Sequence, residues 1–349
     1  MSAISGIEWT DATWNPVTGC TKVSPGCDHC YAETITERFH GRGSFAQVTL
    51  HEDRLVIPVR WRRPRRVFVN SMSDLFHDAV PDEFLACVWA VMATTPQHTY
   101  QVLTKRHARM RSLLSSLRFL NEVCSFIEFW AEDQDASLLD FELTWPVPHV
   151  WLGVSVEDQK RAELRIPALL DTPAAVRFLS CEPLLGSVDL SRWTRGEHRL
   201  DTTTAGPSRL SWVITGGESG HRARPAHPDW FRRIRDECLT AGVAYFHKQN
   251  GEWREPMAGE DYDTMLGRAG HSPAFLIDHD GTVHCTREAA GAAAVPVIGV
   301  GKEAAGRQLD GRTWEQYPQA VNAADVFDGE VIDSDHGAAC GVPRIEGAS

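Results

Sequence analysis

The sequence predicts an α/β fold: a parallel (β/α) partial barrel of about six strands with helices outside, followed by a C-terminal loop and hairpin extension. Three observations predict it. Short runs that are apolar at consecutive positions alternate with amphipathic stretches. Runs with no polar face suit strands buried on both sides, as in a parallel sheet covered by helices. Each run also ends in small or polar residues, and such folds gather ligands at the carboxyl ends of their strands.

Taken in order, Tyr31–His40 has helix-forming composition and follows a cysteine-rich loop. The strand runs are Val67–Asp74, Tyr100–Arg106, Val150–Glu157, Val176–Glu182, Trp212–Glu218 and Ala244–Gln249. Between them the stretches Pro81–Thr94, Ala108–Leu120, Gln159–Leu170 and Pro228–Ala241 carry the helical period. Glu122–Trp145, with acids among aromatics, extends a helical connection, and Ser191–Ser211 reads as a surface loop. Gly251–Pro296 mixes loop and hairpin signals, with Asp280-Gly281 as a turn between Phe275–Asp278 and Thr282–His284. This divides the chain into a barrel over 1–250, an extension packed on it over 251–318, and a weakly ordered acidic tail over 319–349.

The 349 residues are ample for a large core, and the formal charge of −12 excludes coating nucleic acid by a general positive field. A local basic groove remains compatible with that charge. No apolar run reaches the roughly 18 residues of a membrane span, and the N-terminus lacks a basic start followed by an apolar core. The expectation is a cytoplasmic protein without membrane contact. In such a chain nine cysteines, an odd count, point to metal or redox use rather than a disulfide framework.

Six of the nine are scattered singly, but Cys20, Cys27 and Cys30 fall within eleven residues. Two cysteines separated by two residues can turn both sulfurs to one metal centre, and Pro25-Gly26 supplies a turn that brings Cys20 round to them. A closed zinc site would need a fourth ligand such as His29, His77 or Cys181. An iron–sulfur cluster on three cysteines would instead leave one iron open for chemistry.

A triad of cysteines followed by an aromatic, Tyr31, and a series of β-α units resembles the radical S-adenosylmethionine superfamily. The spacing is Cys-x6-Cys-x2-Cys, where the superfamily's usual first gap is three. More narrowly, Trp9–Cys20, Asn70–Phe76, Leu103–Arg106, Leu152–Glu157, Ser180–Leu185, Thr215–Gly220 and Gly301–Arg307 resemble a phage and prophage three-cysteine family, over about Ile7–Pro318. The resemblance implies a 4Fe-4S cluster on Cys20, Cys27 and Cys30, with S-adenosylmethionine chelating the open iron. Reductive cleavage of that cofactor would give a 5′-deoxyadenosyl radical that abstracts hydrogen from a substrate. It also implies an electron donor of flavodoxin or ferredoxin type.

On that resemblance Asn70, Ser71, Ser73 and Asp74 lie near the methionine end, with Asp74 accepting from the cofactor ammonium. Lys105 and Arg106 hold the cofactor carboxylate or a substrate phosphate, and Ser155 and Glu157 face the ribose. Gly216, Gly217 and Glu218 bring backbone close to adenine or substrate. Cys181 beside Glu182 is a candidate hydrogen-atom donor, or else a buried strand cysteine.

The stretch Arg60-Trp-Arg-Arg-Pro-Arg-Arg66 places Arg60, Arg62, Arg63, Arg65 and Arg66 around an aromatic, a nucleic-acid signal that also fits a solvated loop or a partner for acidic segments. It makes a nucleic-acid base a candidate substrate. Two other classes stand beside the radical enzyme. One is a zinc-stabilised nucleic-acid or protein binding module without catalysis. The other is a metal-dependent hydrolase using Glu157, Glu182, Glu218 and His247.

Overall fold

A computed structural model describes residues 5–133, 138, 141–194, 209–266 and 273–319. The chain opens with β1 (Ala12–Trp14) and β2 (Val17–Thr18). The cysteine loop follows, then α1 (Tyr31–His40) and β3 (Thr49–Leu50), which pairs antiparallel with β2. Repeated units come next: β4 (Arg66–Val69), α2 (Asp82–Ala93), β5 (Thr99–Thr104), α3 (His107–Leu114), α4 (Leu117–Asp133), β6 (Val150–Ser155), α5 (Gln159–Leu170) and β7 (Val176–Cys181). They continue through α6 (Ser191–Thr194), β8 (Trp212–Gly216), α7 (Pro228–Ala241) and β9 (Ala244–Gln249).

Seven strands, ordered β1-β4-β5-β6-β7-β8-β9 and parallel throughout, curl into a half-barrel with helices outside. To the runs read from the sequence this adds β1, whose three residues pair with Val67–Val69. The stretch read as one helix over Ala108–Leu120 is two, because the chain breaks at Ser115-Ser116 between α3 and α4. The region 251–319 forms β10 (Trp253–Arg254), β11 (Ala274–Ile277), β12 (Val283–His284) and β13 (Val295–Gly299), a separate antiparallel sheet. After it come α8 (Lys302–Ala305) and the ribbon β14 (Gln308–Leu309) and β15 (Arg312–Thr313). The expected acidic tail lies outside the described residues except Gln319, as does most of the Ser191–Ser211 loop.

Side chains alternate across each strand, and the two faces build two separate cores. Val67, Val69, Tyr100, Val102, Leu152, Val154, Leu179, Val213 and Tyr245 face the helices in the main core. The intervening Phe68, Trp151, Phe178, Trp212, Ile214 and Phe246 form a second cluster with Trp9. That aromatic cluster fills the amino-terminal half of the concave face. No helix of the described residues is long and apolar enough to cross a membrane.

Candidate functional site

Along the concave face, the residues that follow the aromatic cluster are polar, and they enclose a cavity of about 400 Å³ floored by Trp9, Phe68 and Leu103. Cys20, Cys27 and Cys30 all line it. The chain enters the cysteine loop through Gly19, whose φ of +85° and approach to the Gln47 carbonyl leave no room for a side chain. Asn70, itself in the left-handed region at φ 61°, ends β4; its backbone N–H donates to the Trp14 carbonyl and its side chain accepts from Val17 N–H. The Asn70 Nδ2 is buried and, among the described residues, has no hydrogen-bond partner.

The cysteine loop is fastened to several strand ends at once. Glu218 accepts from His29 Nδ1 at 2.9 Å and from three Arg224 nitrogens at 2.5 to 2.9 Å. Arg224 also donates to the Pro25 carbonyl at 2.9 Å and to Asp28 at 3.3 Å. Burial alone would raise the pKa of Glu218, but Arg224 and His29 outweigh it and hold the carboxyl below its usual value. On the far side of the loop, Arg106 donates to Thr21 Oγ1 at 2.8 Å and Tyr31 Oη donates to the Ser71 carbonyl at 2.5 Å. Burial, followed by the Asp74 carboxylate, pushes the Cys20 thiol up to about 11 despite the opposing Arg106.

The expected site residues divide by whether the fold already engages them. Asp74 lines the cavity and its carboxylate accepts from Thr104 Oγ1 at 2.7 Å, Lys105 N–H at 2.9 Å and Phe76 N–H at 3.0 Å, clamping the ends of β4 and β5. Glu157 is buried against Arg165 at 2.8 Å and lies under Gly26. Glu182 lines the cavity but accepts from Lys248 and Gln249, each at 2.9 Å. A Cβ at Gly216 would meet the Glu182 side chain at 3.0 Å and one at Gly217 the Asn250 carbonyl at 2.2 Å, and Gly217 lines the cavity. Ser71 and Ser73 line the cavity while donating to Asn15 Oδ1 and the Val17 carbonyl.

Cys181 lies on the opposite face from Glu182, fully buried in the helix-covered core with Cys238, and burial drives its thiol pKa far upward. It does not line the cavity, so strand parity removes it as a donor of hydrogen to a substrate there. His247 is likewise on the outer face, held by Thr215 and Asn250, and burial lowers its pKa to about 4.

Lys105, Ser155 and Ser180 remain. They line the cavity side by side, Ser155 in register with Ser180 and Lys105 one step beyond the Thr104–Val154 pair. Among the described residues none of these three side chains has a protein partner. Ser180 was missed as a site residue although its alternation with Phe178 and Glu182 places it on the inner face. His29 and Arg224 were also missed as anchors of the loop, and Arg224 meets Pro25 across 199 positions, which no local pattern reveals.

The arginine stretch stands at the amino end of β4, opposite the cavity. Arg66 pairs with Asp11 at 3.0 Å and lies over the Tyr317 ring, Arg65 lies over Trp61, and none of the five lines the cavity. Among the described residues no three His, Cys, Asp or Glu side chains converge on one ion position, Cys20, Cys27 and Cys30 included. Both His77 nitrogens are also engaged, with Thr21 and Ala79.

Comparison with solved structures finds spore photoproduct lyase complexed with dinucleoside spore photoproduct, at TM-score 0.38 and 12% identity over 74% of this chain and 69% of that one. A mutant of that lyase matches at TM-score 0.38, and another, with bound AdoMet and dinucleoside spore photoproduct, at 0.35; both are 12% identical over the same shares. No curated protein matches the chain. A family model described as "Protein of unknown function (DUF5131)" matches residues 4–318.

Proposed function

We propose that this chain, which belongs to the DUF5131 family, is a radical S-adenosylmethionine enzyme with a 4Fe-4S cluster on Cys20, Cys27 and Cys30 and S-adenosylmethionine in the adjoining cavity. The observation that carries this reading is the delivery of all three cysteines into one cavity at the carboxyl rim of a curled parallel sheet, beside buried donors with no protein partner. When bound, the two groups would supply one-electron cleavage of the sulfonium and a 5′-deoxyadenosyl radical for hydrogen abstraction.

The donor set fits. Among the described residues three thiols and no fourth cysteine line the cavity, which would leave one iron free for a chelating ligand. A cluster gives each cysteine its own iron, whereas a zinc ion draws all its ligands to within about 2.0–2.3 Å of one point. The Lys105 ammonium would take an anionic group, the Ser155 and Ser180 hydroxyls would bond ribose or carboxylate oxygens, and Asn70 Nδ2 would donate beside them. The aromatic floor closes the amino end of the barrel and keeps water from the reacting atoms. A nucleic-acid substrate would be gripped at the carboxyl rim, because the arginine stretch stands at the other end. The hydrolase reading needs free carboxylates, but Glu157, Glu182 and Glu218 each have a cation of their own.

The test is anaerobic purification and reconstitution with iron and sulfide, followed by metal analysis and low-temperature electron paramagnetic resonance. The expected result is about four irons per chain and a reduced-cluster signal that changes when S-adenosylmethionine is added, with Cys27→Ala abolishing both. Stoichiometric zinc with no iron uptake and no response to the cofactor would overturn the reading.

A further inference from the structure

We propose that the mouth of the cavity binds the phosphate groups of a small phosphorylated substrate through Lys22 and Lys302, an inference that rests on the radical-enzyme reading and names its substrate class. The chain carries thirty arginines but only five lysines. Four of the five, Lys22, Lys105, Lys248 and Lys302, line this one cavity, and among the described residues no arginine does. The fifth, Lys160, is exposed on α5. Elsewhere the chain answers carboxylates with arginine, as Arg165 does for Glu157 and Arg254 for Glu260. A guanidinium fork locks onto a carboxylate in one geometry, whereas an ammonium is a compact point charge that can follow a phosphate. The four lysines come from separate segments: the cysteine loop, the end of β5, β9 and α8. On β9, alternation with His247 turns Lys248 inward. Lys302 enters from the C-terminal region, where its backbone N–H donates to Glu252 Oε2 at 3.1 Å. The other oxygen of Glu252 accepts from Gly220 N–H at 2.7 Å, which ties that region to the rim beyond β8.

How firmly each ammonium is held separates cofactor from substrate. Lys248 is mostly buried and committed to Glu182 at 2.9 Å. Lys105 is the group that the radical-enzyme reading gives to the cofactor. Lys22 and Lys302 are 50% and 45% exposed, so they stand where the cavity meets solvent. Lys302 approaches Glu8 only to 3.9 Å, beyond hydrogen-bond length, and Glu8 Oε2 is buried with no partner among the described residues. Lys22 reaches Glu33 at 2.9 Å and the Asp28 carbonyl at 3.4 Å, and an exposed pair of that kind yields readily to a doubly charged anion. A phosphate ester carries about two negative charges, whereas a single carboxylate would leave one of the two ammonium groups unanswered. A nucleic-acid strand needs a basic track that runs on past the site. Here the exposed Arg60, Arg62 and Arg63 lie at the opposite end of the sheet, and the net charge of −12 opposes a long polyanion. Lysines confined to one cavity fit a phosphorylated small molecule.

The test titrates inorganic pyrophosphate calorimetrically into the reconstituted full chain at low salt, native and carrying Lys22→Met/Lys302→Met. The native chain should bind it at one site, and the double variant at least about tenfold more weakly. Lys160→Met should match the native chain. Glu8→Gln, which frees Lys302, should tighten pyrophosphate binding about threefold, a gain that misfolding cannot produce. The affinity of the double variant for S-adenosylmethionine should stay unchanged. Pyrophosphate that fails to bind, or that binds the double variant as tightly as the native chain, overturns the proposal. An equal loss of S-adenosylmethionine affinity overturns it too, because the two lysines would then serve the cofactor. So does a single-stranded oligonucleotide that binds more tightly than pyrophosphate and loses the same factor in the double variant, since the phosphates would then belong to a strand. Failure of the earlier reading is visible separately as absence of iron, and the pyrophosphate titration, which needs no cluster, still decides the phosphate site.

Discussion

The two ends of one sheet differ in what their inner faces do with side chains. At the amino end Phe68, Trp151, Phe178, Trp212 and Phe246 close the concavity. Along the same strands toward the carboxyl end, Asn70, Ser155, Ser180, Glu182 and Lys248 line a cavity. Strand alternation keeps both sets on one face, so the change from aromatic to polar is what separates floor from site. Within the polar end a second division matters more. Asp74, Glu157, Glu182 and Glu218 already have partners in the fold, whereas among the described residues the side chains of Lys105, Ser155 and Ser180 have none. Polarity at a strand end marks the rim, and the side chains without a partner are those the proposed ligand would answer.

The largest expected effect breaks the floor. Trp212 is fully buried, its ring meets those of Trp9, Trp151, Phe178, Phe246 and Tyr317, and its Nε1 donates to the Gln316 carbonyl at 2.9 Å. Trp212→Ala should cost about 3–5 kcal/mol in chemical denaturation. A loss below about 1 kcal/mol would mean that the amino end tolerates an opening, and the contrast between a closed and an open end would fail.

A smaller effect comes from the anchor of the cysteine loop. Arg224→Ala leaves the buried Glu218 carboxylate with only His29 and the backbone N–H of position 224 as donors and should cost roughly 2 kcal/mol, while proteolysis within residues 21–30 accelerates. The sign with pH follows from the depressed pKa of Glu218. Its stabilisation is fully present above the unfolded carboxylate value and is lost as pH falls through the folded one. The stability gap between the native chain and the variant should therefore shrink in acid, below about pH 4. A gap that widens there would place the stabilisation in another group.

The sequence made the sheet legible because runs such as Val150–Ser155, buried on both faces, have no other economical reading. It hid β1, whose three residues carry no period and form a strand only by lying against Val67–Val69. At the site, composition placed polar residues at the rim but could not say which were already engaged. Asp74 finds its partners at Thr104 and Lys105, and Glu218 finds a donor at His29, 189 positions away. Cys181 shows a different limit. Alternation with Ser180 and Glu182 was there to be read and puts its thiol under the helices, although a cysteine beside a glutamate at a strand end looks chemically active.

The smallest expected effect sharpens the contrast between engaged and free groups at the cavity. Among the described residues the Lys105 side chain has no partner, so Lys105→Met should leave stability within about 0.5 kcal/mol of the native chain. The affinity of the reconstituted protein for S-adenosylmethionine should fall roughly tenfold, equivalent to about 1.4 kcal/mol. Lys248→Met should behave oppositely, because it takes away the cation of Glu182, and its larger change should appear in denaturation. If Lys105→Met destabilises the fold and leaves cofactor affinity untouched, the ammonium belongs to the scaffold, and a missing partner ceases to distinguish ligand-binding groups from structural ones at this rim.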